Sequence, residues 1–298
     1  MKQLYPIILF LTLIFPTHSY SQAIFNDSLS MGSNYEKAAF RIWINDSTQF
    51  IEGVIVIVPG SNGDARANIL DPAWQKLATK HNLAIMGCNF IDKRHENMMI
   101  EEYAYAPNGS GQALLNALSN FSIQSKHPEL EYAPLALWGM SAGGQFNYEF
   151  VCWKPERVIT FVVNKGGVYY TSLSPVKSWE VPGIFFTGDL DTPYRSNIIK
   201  GIFTINRRFG AKWALIEEPN MKHRIGSSQQ FSIEYFDAII PKRLKEKNIL
   251  SSLLDKGIIG SLKSKKIIKD GQDINDVTNW FPNKSLAEKW LSLVKNGK

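Results

Sequence analysis

Cysteine is scarce in this chain, and long apolar runs are absent beyond its first residues. Only Cys88 and Cys152 occur among 298 residues, and their spacing is not typical of a metal site. We expect both to be buried free thiols, because Cys88 should end a central strand and Cys152 a distant helix. No later stretch approaches the roughly 18 apolar residues of a transmembrane helix. The sequence therefore predicts no metal, no cofactor and no integral membrane span.

Charge of one sign is also in small excess, with a formal net charge of +6 at pH 7. Aromatic residues do not alternate with the basic ones, as they do on many nucleic-acid-binding surfaces. We interpret the most basic segment, 242–269, as a solvated face. These features predict no nucleic-acid partner, and they leave the oligomeric state open.

The N-terminus has the features of a secretory signal. Lys2 provides a positive start, Leu4 to Phe15 is almost entirely apolar, and Ser21 to Ala23 offers small residues for a signal peptidase. We predict a signal peptide over 1–23 and a secreted or periplasmic mature protein. An uncleaved N-terminal anchor is the alternative.

Strand-like and helix-like segments alternate through the remaining chain without a linker, which predicts one domain over 24–298 with a C-terminal helical extension. The alternation is typical of an α/β fold with a mostly parallel central sheet and helices on both faces. The predicted strands are 38–44, 51–58, 83–88, 133–138, 158–163, 183–187 and 213–216. The predicted helices are 71–81, 110–123, 196–209 and 228–239. A further helix is predicted to follow Ser141 and to reach about residue 153.

One stretch, Leu137–Gly144, carries the strongest chemical signal. A strand-like run breaks at Gly139, presents Ser141 and meets Gly143 before a helix-compatible segment. Gly-x-Ser-x-Gly is the nucleophile-elbow pattern, which places a serine on a tight strand-to-helix turn. The flanking glycines stand where a Cβ would collide as strand and helix approach. We expect the N–H of Ala142, at the helix N-terminus, to point toward a developing oxyanion.

Three further segments extend this pattern: Val58–Gly63, Gly188–Asp191 and His223. With the elbow, they resemble the α/β-hydrolase superfamily, and in particular secreted serine esterases of the polyhydroxybutyrate depolymerase and feruloyl or acetyl-xylan esterase types. The resemblance covers roughly Phe40 to Asp237. It implies an α/β-hydrolase fold and hydrolysis of a carboxylic ester.

The candidate base follows by elimination among five histidines. In open α/β sheets, chemistry occurs at the carboxyl ends of the strands. His18 lies in the signal segment, and His81 and His127 precede predicted strands, which places them at the opposite edge. His95 follows a strand but precedes the serine, and we expect it to have no acid partner. Only His223 follows a strand and fits the hydrolase order of serine, acid and histidine.

Two acids, Asp189 and Asp191, follow the strand that ends at Thr187. The resemblance favours Asp191, because its position after Gly188 matches the family's Gly-x-x-Asp pattern. Asp189 is then interpreted as a turn-capping residue. In this scheme Asp191 orients His223, which removes the proton from the nucleophilic serine.

The second oxyanion donor is expected in the loop after the strand 51–58. The resemblance points to the backbone N–H of Ser61, with Asn62 as the alternative. The sequence Pro-Gly-Ser-Asn differs here from the His-Gly-Gly-Gly form of many lipases, so the donor stays open between these two residues.

Candidate substrate-binding residues are Arg66, Tyr169, Tyr170 and Tyr194, all in loops assigned to the active edge. Aromatic rings stack on sugars or phenolic acids, and arginine binds carboxylates. The alternative is that these side chains only pack and solvate their loops. The loop 164–180 is interpreted as a lid or cleft wall.

These observations predict a secreted serine hydrolase that cleaves a small-molecule or oligosaccharide ester, on a carbohydrate or phenolic substrate, through an acyl-enzyme. The alternatives are a serine peptidase of the same fold and a non-catalytic binding protein that keeps the hydrolase fold.

Overall fold

A computed structural model describes residues 22–96, 100–253, 256–269 and 276–295. Its centre is an eight-stranded sheet in the order β1-β2-β4-β3-β5-β6-β7-β8. The strands are β1 (Gln22–Leu29), β2 (Lys37–Asn45), β3 (Gly53–Val58), β4 (Leu83–Ile91), β5 (Leu135–Met140), β6 (Val158–Asn164), β7 (Gly183–Gly188) and β8 (Trp213–Glu218). The first two strands pair antiparallel, and β2 is antiparallel to β4. All pairs from β4 to β8 are parallel, so the structure is of the α/β class with a mostly parallel sheet.

Helices cover both faces of this sheet. They are α1 (Pro72–Lys80), α2 (Ser110–Ser125), α3 (Ala142–Trp153), α4 (Val176–Trp179), α5 (Pro193–Arg208), α6 (Ser228–Arg243) and α7 (Lys284–Lys295). The helices α2, α3 and α5 contribute Leu114, Phe146 and Phe203 to one apolar cluster. The helices α1 and α6 contribute Trp74 and Tyr235 to a cluster on the other face. Two-sided burial explains why central strands such as β3 are apolar at almost every position.

The C-terminal region differs from the predicted helical extension, because it contains strands as well as α7. A hairpin of β9 (Leu244–Glu246) and β10 (Ile249–Leu250) follows α6, and a three-stranded antiparallel sheet comes next. Its strands are β11 (Ile258–Ser261), β12 (Lys266–Ile268) and β13 (Thr278–Phe281). In β13, the side chain of Asn279 accepts a hydrogen bond from the Leu215 N–H at 2.7 Å and donates one to its carbonyl at 2.9 Å. The amide thereby satisfies backbone groups of the edge strand β8.

The N-terminal prediction falls mainly outside the described residues, since these begin at Gln22. The predicted boundary at residue 23 lies within β1, a strand that the sequence interpretation did not include. Half-buried and exposed residues alternate along β1 from Ala23 to Leu29, but Ile24 is on the exposed side and Asp27 on the half-buried side, so the sequence shows no clear period-two pattern. In the part of the chain that the structure describes, no helix has the length and apolar character needed to cross a bilayer.

Candidate active site

Ser141 lies at the turn between β5 and α3, at the carboxyl edge of the sheet. Its backbone has φ 54° and ψ −123°, a strained conformation for a residue with a side chain. The Ser141 N–H donates to the carbonyl of Asn164 at the end of β6 at 2.8 Å, and its own carbonyl accepts from Gln145 N at 3.1 Å. Hydrogen bonds with the neighbouring strand and with the following helix therefore stabilise the strained conformation of Ser141.

Close backbone approach explains the glycines around Ser141. A Cβ on Gly143 would lie 2.2 Å from the carbonyl oxygen of Val58, and a Cβ on Gly139 would lie 2.3 Å from the carbonyl oxygen of Gly143. Both distances are far below van der Waals contact. The spacing Gly-x-Ser-x-Gly is thus a steric requirement of packing β5 and α3 against the end of β3.

Three side chains from separate loops meet at this turn. Nε2 of His223, after β8, is 3.0 Å from Oγ of Ser141. Nδ1 of His223 is 2.8 Å from Oδ2 of Asp191, after β7. The Asp191 side chain is 3% exposed and that of His223 is 32% exposed. The carboxylate is therefore shielded, while the imidazole and the serine remain open to a ligand.

The two candidate acids have different partners. The other carboxylate oxygen of Asp191, Oδ1, accepts the Thr192 N–H at 2.7 Å, which orients the group. Oδ1 of Asp189 accepts the N–H of Met221 at 3.1 Å. Leu190 N also donates to the Met221 carbonyl at 3.0 Å. Asp191 thus contacts the imidazole, and Asp189 connects its own loop to the loop that carries His223.

A buried ion pair lies beneath these loops and was not predicted. Lys165, directly after β6, is fully buried and donates to Glu218 at the end of β8 and to Asn164 Oδ1. Burial lowers the pKa of Lys165, and the charges of Glu218 and Asp191 oppose that shift. Glu218 Oε1 in turn accepts the N–H and the hydroxyl of Ser227, both at 2.7 Å. The pair connects the carboxyl ends of β6 and β8 around the triad.

The loop after β3 approaches Ser141 from the other side. A Cβ on Gly60 would lie 3.5 Å from Cβ of Ser141. Gly63 N donates to the Gly60 carbonyl at 2.9 Å, which closes a turn with Ser61 and Asn62 at its centre. Asn62 has a positive φ of 51°. This turn therefore lies next to Ser141, and Ser61 and Asn62 both remain candidates for the predicted second oxyanion donor.

Asp92 contacts the turn that contains Ser61 and Asn62, and this residue was not predicted from the sequence. Its N–H donates to Oδ1 of Asn62 at 2.8 Å. Its carboxylate accepts the N–H groups of Glu102 and Tyr103 at 3.0 and 3.3 Å and contacts Nε2 of His95 at 2.9 Å. The expectation that His95 has no acid partner was wrong, because Asp92 directly follows β4 and its side chain turns back onto its own loop.

The four predicted substrate-binding residues occupy different environments. Arg66 forms a bidentate pair with Asp64, with contacts of 2.6 and 3.0 Å, and this hydrogen bonding lowers the pKa of Asp64. Tyr169 turns inward, and its hydroxyl is buried. Tyr170 and Tyr194 are each 46% exposed. The structure thus brings two of the predicted tyrosines to the surface, while Arg66 is already neutralised.

The two exposed tyrosines each contact a neighbouring side chain. Tyr170 stacks on Tyr105 with ring centroids 4.6 Å apart, and Tyr194 lies under the guanidinium of Arg195 at 5.4 Å. The loop that carries Tyr170 is held by Glu149 on α3, whose carboxylate accepts the Tyr170 N–H at 2.8 Å. Burial raises the pKa of Glu149.

A separate cavity of about 450 Å³ lies between α5, β8 and the C-terminal elements. Leu215, Leu262, Val277 and Trp290 contribute to its walls. No residue of the Ser141, His223 and Asp191 group lines it. We therefore place the candidate chemistry at the open sheet edge.

Within the described residues, no group of three or more histidine, cysteine, aspartate or glutamate side chains is arranged to hold a metal ion. Comparison of the sequence with models of known protein families and with curated proteins finds no match. The geometry of the site is therefore the basis for the function argued next.

Proposed function

We propose that this protein is a serine carboxylic-ester hydrolase of the α/β-hydrolase fold, exported by its N-terminal segment. The observation that carries the proposal is the continuous hydrogen-bonded series from Ser141 through His223 to Asp191, at 3.0 and 2.8 Å. The chain order of serine, acid and histidine, and a second oxyanion donor after β3, are features of that fold and support it.

The residues would divide acyl transfer into two steps. His223 takes the hydroxyl proton as Ser141 Oγ attacks the ester carbonyl carbon, while Asp191 stabilises the imidazolium. The oxyanion is stabilised by Ala142 N–H and by an N–H of the Gly60–Gly63 turn. When the acyl–oxygen bond breaks, His223 returns the proton to the leaving alcohol. A water deprotonated by His223 then attacks the acyl-enzyme and releases the acid.

The test uses the purified protein with short-chain nitrophenyl esters, acetylated and feruloylated oligosaccharides, and matched peptide amides. We expect ester turnover, and we expect a fluorophosphonate reagent to label Ser141 and to abolish that turnover. Peptide cleavage faster than ester cleavage would instead support a peptidase. Absence of both labelling and turnover would contradict the proposal and favour a binding protein that keeps the fold.

A further inference from the structure

The consecutive glycines Gly166 and Gly167, after β6, each leave space for one particular side chain. A Cβ on Gly166 would lie 2.1 Å from the hydroxyl oxygen of Tyr169. A Cβ on Gly167 would lie 3.1 Å from Nη1 of Arg195 and 3.5 Å from Oε1 of Gln145. The loop backbone therefore runs directly against the guanidinium of Arg195.

Backbone hydrogen bonds connect Arg195 to the loop of Asp191, and connect Gln145, which also lies beside Gly167, to Ser141. Its N–H donates to the carbonyl of Thr192 at 3.1 Å, and Thr192 N binds the Asp191 carboxylate. On the other side, Gln145 donates its N–H to the carbonyl of Ser141. Nη1 of Arg195 thus lies beside Gly167 in the loop after β6, and the Arg195 backbone is joined to the loop that carries Asp191.

The charge of Arg195 has no carboxylate partner among the described residues, although its side chain is half-buried. Two other cations near this edge are neutralised: Arg66 by Asp64 and Lys165 by Glu218. The guanidinium instead packs on the exposed ring of Tyr194. A half-buried, oriented and unpaired guanidinium is well suited to bidentate binding of a carboxylate.

The adjacent loop adds to the positive potential. Lys222 and Arg224 flank His223 in the sequence, and both are exposed. Hydrogen bonds between the loops of Asp189 and Met221 hold the two segments together. Clustered charge of one sign attracts an oppositely charged ligand and raises its local concentration.

We propose that Arg195 is a specificity residue that binds a carboxylate of the substrate, so that the preferred esters are anionic. This inference rests on the proposed ester-hydrolase function of Ser141. It assigns the substrate class of that site: a carboxylic ester whose alcohol or acyl part carries a second, free carboxylate.

The experiment compares esters that differ only in charge. For the alcohol part, 4-acetoxybenzoate is paired with 4-acetoxybenzamide, and for the acyl part, monomethyl terephthalate is paired with methyl 4-carbamoylbenzoate. In at least one pair we expect kcat/KM to favour the carboxylate about tenfold, mainly through KM, and to lose this preference at high salt. The ratio within a pair is the readout.

Arg195→Gln should bring that ratio close to one, and Arg195→Lys should restore part of it, since lysine keeps the charge without the planar fork. Lys200→Gln is the matched control, because it also removes a cation from α5, one that is already paired with Glu217. A ratio near one in the wild type for both pairs, or a ratio unchanged by Arg195→Gln, would overturn the inference while neutral-ester turnover still supported the proposed function. Absence of turnover for every ester would contradict both.

Discussion

Asp191 and Asp92 are nearly buried carboxylates at the same edge of the sheet, and each binds a histidine. Their side chains are 3% and 1% exposed, and their distances to His223 and His95 are 2.8 and 2.9 Å. The difference lies in the remaining partners. In the first pair, the second nitrogen of His223 contacts the hydroxyl of Ser141. In the second pair, the carboxylate of Asp92 also accepts two backbone N–H groups of its own loop.

Histidine–carboxylate pairing alone therefore does not identify a catalytic site in this protein. Two more pairs, His81 with Asp237 and His127 with Glu129, have distances of 2.6 and 2.9 Å. His81 follows α1 and His127 follows α2, so both precede strands and lie away from the serine. Of these four histidines, His223 is the one whose outer nitrogen contacts the hydroxyl of Ser141.

The comparison is tested most strongly by removing that hydroxyl. Ser141→Ala should lower kcat by about 10⁴-fold or more, because triad residues act as a unit and most of the rate is lost with any one of them. Steady-state ester hydrolysis measures this. Ser125→Ala, whose hydroxyl binds the carbonyl of Phe121 on α2, is the control. Activity surviving in the Ser141 variant would exclude it as the nucleophile.

The second prediction compares the histidines themselves. His223→Ala should lose about as much activity as the serine variant, because no other base contacts Ser141 Oγ among the described residues. His95→Ala should retain kcat/KM close to wild type and lose only loop stability. Measured kcat/KM and melting temperatures of both variants decide the matter. A dispensable His223 with an essential His95 would reverse the assignment of the two pairs.

The third prediction compares the acids. Asp191→Asn should lower kcat about 10³- to 10⁴-fold, because an amide cannot hold the same tautomer or stabilise the imidazolium. Asp92→Asn keeps an acceptor for the loop N–H groups but removes the charge next to His95, and should cost about 1–3 kcal/mol of stability with a smaller effect on kcat. Kinetics and urea denaturation separate the two effects. Equal losses of kcat would mean that both carboxylates serve the reaction.

The smallest expected effect concerns Glu149, a buried carboxylate that binds no histidine. Its folded pKa is raised by burial, so it stabilises the fold fully below its unfolded value near 4.3, and this contribution is lost as the pH rises through the folded value. Glu149→Gln should therefore gain stability relative to wild type between pH 5 and pH 8.

Urea denaturation of wild type and Glu149→Gln at both pH values measures this difference. Glu288→Gln, at an exposed position on α7, is the control and should show no comparable trend. A difference between Glu149→Gln and wild type that stayed constant with pH would show that Glu149 titrates alike in the folded and unfolded chain.

Much of the central fold could be predicted because its strands and helices have clear local sequence patterns. The buried strands from β3 to β8 appear as apolar runs, and Asp71 caps α1 by accepting the Ala73 N–H at 2.8 Å. The expectation that Cys88 and Cys152 are free thiols is confirmed, but only Cys88 is buried and Cys152 is half-buried. The C-terminal strands were missed because they are only two to four residues long, too short for a clear periodic pattern.

The candidate site also contains residues that could be predicted from the sequence and residues that could not. Ser141 and His223 could be selected because residues that follow parallel strands must share one edge of a sheet. The same argument left Asp189 and Asp191 as acids, and the family resemblance favoured Asp191. The sequence contained no comparable signal for Asp92 or for the Lys165 and Glu218 pair. Their roles depend on which side chains meet after packing, and single residues of these types are common in any chain.

The sequence by itself determined the strained turn at Ser141, because Gly139 and Gly143 allow β5 and α3 to approach each other. It also determined the alternation of strands and helices, which places the loops that follow the strands at one edge of the sheet. Only the tertiary structure decided which charges are neutralised there. Lys165 meets Glu218, 53 residues further along the chain, whereas Arg195 meets no carboxylate among the described residues. Such pairing depends on distances of a few ångströms between segments that are far apart in the sequence.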